Sequence, residues 1–386
     1  MDHGCSLRAS RKKCVKIIEK EVEELASRSE VTGIFLGGSI SRGTEWETSD
    51  IDLALVLEKQ FDPEPCLPRL REGIPITRWR NFKENVQKIM DGFPASWYDK
   101  EVQWEVGWFY TSRCLFDRDG FCGQLLSFIT AHRYDPTIVR KYVETYIEQA
   151  RKELVEAMGL CRSSELDEAH CHIREASFRC ALALLEYANI PLEHKELESQ
   201  IREAETKVSF SGFSDLFASV WGIDRIERHR SEQLRSALKE ALRSSIELIS
   251  YVEEQIAEQG YSLESLGIDS FRAFFFPYKV DEYKIAIKDH IRFIDVAFRK
   301  RKLGVLSRES LCSYLLWLDR TVLSPLMAKL KEGGINRKTA EAYERMRSHE
   351  TKSRKILGLL NPSVKEIRTN LDNLCDVCSR LQTLLR

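Results

Sequence analysis

Two short stretches hold the residue types that could do chemistry: Gly37-Gly38-Ser39-Ile40-Ser41-Arg42-Gly43, and then Ser49-Asp50-Ile51-Asp52-Leu53. Paired glycines let backbone N–H groups approach an anion closely, and a turn of this kind that opens a helix aims its first N–H groups at a phosphate. Ser39 adds a hydroxyl, and Arg42 adds a positive charge about one turn later. Asp50 and Asp52 are separated by one residue, so on a strand both carboxylates leave the same face. Two hard oxygen ligands side by side suit Mg2+, which combines carboxylates with water and substrate phosphate. A dication would also relieve the repulsion between them. Alone, the glycine pair reads as a turn and each aspartate as a solvated strand end. In this order and spacing they read as one site.

The elements that must position these residues follow from the apolar pattern. Residues 31–36 form a short β-branched run ending at Gly37-Gly38, and residues 51–57 a second run opened by the two aspartates; both are expected to be buried strands. On the second, Ile51, Leu53, Leu55 and Leu57 occupy the face opposite the acids, while Ala54 and Val56 continue below them. Residues 12–27 carry Val15, Ile17, Ile18, Val22 and Leu25 at helical spacings, predicting a helix ahead of the first strand. The proline-punctuated residues 61–75 are expected to break regular structure. Residues 102–110 alternate Val102, Trp104, Val106, Trp108 and Tyr110 with Gln103, Glu105, Gly107 and Phe109, predicting a third strand. Residues 113–116 lead into the turn Asp117-Arg118-Asp119-Gly120 and complete a fourth.

Beyond about residue 125 the sequence turns to Leu, Ala, Glu, Lys and Arg. Helices are expected near 137–158, 166–188, 194–206, 212–220 and 230–258, followed by a helical block interrupted at Pro277, Gly304, Gly333-Gly334 and Pro362. The fold class is therefore α+β: a small N-terminal mixed-sheet domain at 1–125, then all-α domains at 126–260 and 261–386.

Composition sets the outer bounds. A chain of 386 residues has length for two or three domains, and 43% hydrophobic with 31% charged residues is an ordinary globular balance. The formal net charge of −1 supplies no global field toward long nucleic acids or anionic membranes, so any polyanion must be met by local groups. The first residues carry no apolar run after their basic ones, so no signal peptide or membrane span is expected, and a cytoplasmic setting with reduced thiols follows for the 11 cysteines. Cys375 and Cys378 form one CxxC without a matching second pair. Their spacing places both on one helix face, where core packing is the expected use. His170, Cys171 and His172 are adjacent, so on a helix they point apart rather than at one metal.

Gly38-Ser39, ten residues, and Asp50-Ile51-Asp52 match the G-[GS]-x(10)-D-x-D pattern, and the sequence resembles the nucleotidyltransferases related to DNA polymerase β. The longer run is similar to the minimal and small-molecule branches, which include aminoglycoside adenylyltransferases and antitoxins that adenylylate toxins. The resemblance covers about the first third of the chain. It implies that Gly37, Gly38, Ser39, Arg42 and Ser49 meet the nucleotide triphosphate and that Asp50 and Asp52 bind two Mg2+ ions. It also implies a third carboxylate from a later strand, for which Glu105 is the choice and Glu101, of the same parity, the runner-up. The reaction implied is in-line displacement at the α-phosphate, moving a nucleoside monophosphate, AMP if ATP is the donor, to a hydroxyl of a small molecule or protein with release of pyrophosphate. RNA 3′-end extension and a silent NTP- or partner-binding module are the alternatives, and near-neutral charge disfavours RNA.

The helical part gives weaker signals. Glu175 resembles the acceptor-activating carboxylate of some adenylyltransferases, although its ordinary role is as a solvent-facing neighbour of Arg179. Lys195, in the run from Leu184, resembles a lysine that reaches the triphosphate, against an ordinary surface lysine. No Arg is separated from a following His by four to six intervening residues, Arg162 lying too far before His170 and Arg225 and Arg345 too close to His229 and His349, so the ribonuclease spacing of HEPN-type helical domains is absent. The basic run 299–302 reads as a helix C-terminus, and the aromatic cluster at 271–277 as interdomain core. The residues beyond 260 are expected to pack as helices, with an acceptor wall or a dimer surface as their use.

Overall fold

The computed structural model describes residues 3–46, 49–58, 69–225, 228–258, 280–300, 302, 336–356 and 362–385. The chain divides into two compact units, residues 1–141 and 142–386. The aromatic cluster at 271–277, the break after 258 and the interruptions at Gly304 and Gly333-Gly334 lie outside the described residues.

The first unit runs α1 (His3–Ala26), β1 (Val31–Leu36), α2 (Gly38–Arg42), β2 (Ile51–Leu57), β3 (Arg69–Arg71), β4 (Ile74–Phe82), α3 (Lys83–Asp91), α4 (Lys100–Tyr110), β5 (Arg113–Asp117) and α5 (Phe121–His132). The strands form a five-stranded sheet in the order β3-β4-β2-β1-β5. β1 is antiparallel to both β2 and β5, and β2 is parallel to β4. The mixed sheet of the α+β expectation is thus present.

Alternation along β2 separates two working faces. Ile51, Leu53, Leu55 and Leu57 join Ile34, Leu36 and Ile76 in a core closed by Cys14, Ile17, Ile18 and Leu25 of α1. Each such buried side chain contributes about 1.5–3 kcal/mol, so β2 is held firmly by its apolar face. Arg78 of β4 also turns this way and pairs with the buried Glu21 of α1, to which Arg71 Nε donates at 2.8 Å. The other face carries Asp52 and is covered by α4. Phe109 meets Phe35 edge to face at 5.0 Å, and Trp104 lies 5.7 Å from Trp79.

Two expectations change here. Residues 102–110 are not a strand: they belong to α4. The alternation of large residues masked a second pattern, in which Val106 and Phe109 are fully buried while Trp104 is 56% exposed, as a helical stripe requires and a half-buried strand does not. The strand that pairs with the acidic one is instead β4, which starts within the segment read as irregular. Residues 59–68 of that segment lie outside the described residues.

The second unit is helical: after α6 (Pro136–Arg162), which carries the chain into it, come α7 (Leu166–Tyr187), α8 (Leu197–Lys207), α9 (Phe213–Val220), α10 (Arg228–Glu258), α11 (Val280–Arg299), α12 (Arg337–Ile356) and α13 (Val364–Leu384). α7 buries Ile173, Ser177, Cys180, Ala181, Leu184 and Leu185, and Trp221 Nε1 donates to Ser177 Oγ at 2.9 Å. Cys378 of α13 is buried with its sulfur 3.6 Å from that of Cys180, but Cys375 is exposed, so only one cysteine of the CxxC packs in the core. His172 Nδ1 lies 2.7 Å from Glu153 Oε2 and Arg174 donates to Cys171 Sγ at 3.0 Å, consistent with side chains that diverge. No described helix is long and apolar enough to cross a membrane.

Candidate active site

β1 ends where the chain must turn sharply beside β2. The Gly37 N–H donates to the Asp52 carbonyl at 2.9 Å, which extends the β1–β2 ladder by one rung and sets Gly37 against Asp52. Gly38 then takes φ +65°, a left-handed conformation natural to glycine, and starts α2. A Cβ at position 38 would overlap the Asp52 carboxylate, and one at position 37 would overlap the Trp108 indole of α4. The two glycines are therefore needed because the acidic strand and α4 both press on this turn. Gly43, at φ +74°, closes α2.

The hydroxyls hold the loop in shape. Ser39 Oγ donates to Ser49 Oγ at 2.9 Å, and the Trp46 N–H donates to the same oxygen at 2.8 Å. Ser39, Ser49 and Trp46 are buried, so the end of the loop before β2 is tied back onto the first turn of α2. On the other side Ser41 Oγ donates to the Thr111 carbonyl at 2.9 Å, and Arg42 Nη1 lies 3.5 Å from Thr111 Oγ1, fastening α2 to the chain just after α4. Asp50, exposed, immediately precedes β2, and Asp52, partly buried, is its second residue. Their alternation places both on the face away from the α1 core.

The strands that follow β2 bear on the third carboxylate. β3 and β4 read RLR and IPITRWRNF, with no acid between them. β5 offers Asp117, but it pairs with Gly33, four residues before the Gly37 that sits beside Asp52, about 13 Å away along the sheet. Glu105 arrives differently. On α4 it lies within the arc defined by Trp104, Trp108 and Phe109, whose rings rest on Trp79, Gly37 and Phe35, and these three contacts bracket Asp52 and Ala54 on the sheet. Glu105 is thus carried by a helix that packs on the Asp52 face, not by a strand. Glu101 lies at the start of the same helix.

Glu175 and Lys195 belong to the second unit. Glu175 Oε1 is 2.6 Å from Arg179 Nη2 one turn on, and Lys195 Nζ lies 6.0 Å from the centre of the Phe293 ring. Sequence reasoning did not find β4, the seating of Trp108 on Gly37 or the tie to Thr111. The spacing of Val102, Val106 and Phe109 was the available signal for α4.

No curated protein matches the chain. Residues 19–86, spanning the last third of α1, both glycines, both aspartates and β4, match the family model "Polymerase beta, Nucleotidyltransferase". Such a domain points to nucleotidyl transfer as its general activity, with a nucleoside triphosphate and a divalent metal as its usual requirements. Residues 19–86 thus match a nucleotidyltransferase domain, consistent with a member of the polymerase β-like superfamily.

Proposed function

We propose that the chain is a Mg2+-dependent nucleotidyltransferase that moves a nucleoside monophosphate, AMP from ATP, to a hydroxyl of a small molecule or a protein and releases pyrophosphate. The observation that carries this reading is the packing of Gly38 against the Asp52 carboxylate, because it joins a turn able to receive phosphate to an acidic strand able to hold metal. The donor set is all oxygen, which fits Mg2+.

Asp50 and Asp52 would hold the metal ions, with Glu105 as the third carboxylate. Bound there, the ions would neutralise triphosphate charge and lower the pKa of the acceptor hydroxyl. The first turn of α2 would receive the triphosphate through its backbone N–H groups and Ser39, while Arg42 adds charge and Ser49 holds Ser39 in place. Trp108 forms an apolar wall on the glycine turn and would exclude water beside the transferring phosphate.

The absence of any acid from β3 and β4 supports a second reading, an NTP-binding module without turnover. Incubating the full chain with labelled NTPs, Mg2+ and cell extract separates the two. Label on a metabolite or protein, with pyrophosphate released, is expected. Asp52→Asn or Asp50→Asn should lower that release by on the order of 10²-fold or more with an unchanged circular dichroism spectrum. Native turnover in Asp52→Asn would sink the assignment, and NTP binding with no pyrophosphate would favour the module.

A further inference from the structure

β5 and the start of α5 bring the Cys114 thiol, the Asp117 carboxylate and the Cys122 thiol together, with their ligand atoms all within 4.8 Å of one another. On a regular strand Cys114 and Asp117, three residues apart, would point to opposite faces. The β1–β5 ladder, however, pairs Phe35 with Cys114, Ile34 with Phe116 and Gly33 with Asp117, leaving Leu115 as an extra residue. This bulge turns both side chains to the face of Phe35 and Gly33. Gly33 makes the third placement feasible, since a Cβ at that position would overlap Cys122 Sγ. A bulge and a side-chain-free residue on adjacent strands therefore converge on one cluster.

The carboxylate is already oriented. Asp117 Oδ1 accepts from the Cys122 N–H at 3.3 Å and Oδ2 from the Gly123 N–H at 2.8 Å, and each oxygen retains a further lone pair. Four-coordinate zinc, with bonds of about 2.3 Å to sulfur and 2.0–2.2 Å to oxygen, needs ligand atoms about 3.4–3.8 Å apart, a short adjustment from this arrangement. Cys122 is buried while Cys114 and Asp117 are partly exposed, so a fourth position faces solvent. Two thiolates select a soft cation over Mg2+, which separates this cluster chemically from Asp50 and Asp52.

We propose that Cys114, Asp117 and Cys122 bind a thiophilic divalent cation of the zinc type, with water as the fourth ligand, pinning the start of α5 to the sheet edge. Binding converts two thiols to metal-bound thiolates and releases two protons to solvent. The test is titration of the reduced, metal-free full chain with Co2+. One equivalent should produce a thiolate-to-cobalt charge-transfer band with tetrahedral d–d bands, and zinc should abolish both. Cys114→Ser should remove the charge-transfer intensity by about half or more, and Asp117→Asn, which keeps an oxygen for the α5 amides, should weaken affinity at least about tenfold. Cys378→Ala, at the separate buried cysteine pair, should change nothing. No band at saturation, a band untouched by Cys114→Ser in a protein with native circular dichroism, or a band that depends on Cys378 would each overturn the site.

Discussion

Gly38 and Asp52 share a contact that admits no side chain between them. Gly38→Ala would combine a φ of +65° with an overlap on the carboxylate, so it should cost about 1 kcal/mol or more of stability and displace Asp52. A lowered urea midpoint together with lost pyrophosphate release checks this. A midpoint equal to that of the parent would contradict it. Glu105 offers a finer test, because its position on the Asp52 face depends on α4. Glu105→Gln should reduce transfer by on the order of 10²-fold while NTP binding in the presence of Mg2+ weakens much less. Equal turnover would leave two carboxylates as the whole metal set.

Among the elements, α4 shows how a pattern can satisfy two periods at once. Val102, Trp104, Val106 and Trp108 alternate as a strand would, yet Val102, Val106 and Phe109 also fall on one helix stripe. Burial of Phe109 on Phe35 and of Val106 decided the matter in favour of the helix, and β4 took the place beside β2. The adjacent strands β1 and β2 were legible because each is a short, continuous apolar run with a glycine or aspartate boundary. In the helical unit Asp295 of α11 joins two cations of α10, accepting from Arg235 Nε and Lys239 Nζ at 2.7 Å each. Burial pushes its carboxyl upward, but the hydrogen bonds from Lys239 and Arg235 outweigh this and hold its pKa below the ordinary aspartate value. A depressed folded pKa stabilises above the unfolded value of about 3.9 and loses that contribution as pH falls through the folded one. Asp295→Asn should therefore cost about 1–2 kcal/mol near neutral pH and almost nothing once the pH lies below the folded pKa, read from denaturation midpoints at both ends. An equal cost at both would remove the ion pair as its cause.

At the scale of the whole molecule, the proposed reaction on a highly charged nucleotide would have to be served by a chain whose net charge is −1. On the proposed reading the phosphate would be met by glycine amides, hydroxyls and one arginine, with the acidic pair as metal ligands, a local solution that needs no basic surface. If the acceptor is compact, transfer should change by no more than about twofold between low and moderate salt, whereas a substrate making many phosphate contacts would lose on the order of 10³-fold in affinity over that range. Steep salt dependence would move the acceptor to RNA. The sequence by itself determined the glycine turn, the acidic pair, the two strands that carry them and most helices of the second unit, because each is written in local spacing and in residues whose backbone or charge has few other uses. Only the tertiary structure decided that 102–110 is a helix, that the strand beside Asp52 carries no acid, and that Cys114, Asp117 and Cys122 meet. The physical reason is that these depend on which surfaces bury one another and on a single-residue bulge, and neither leaves a local periodicity to read.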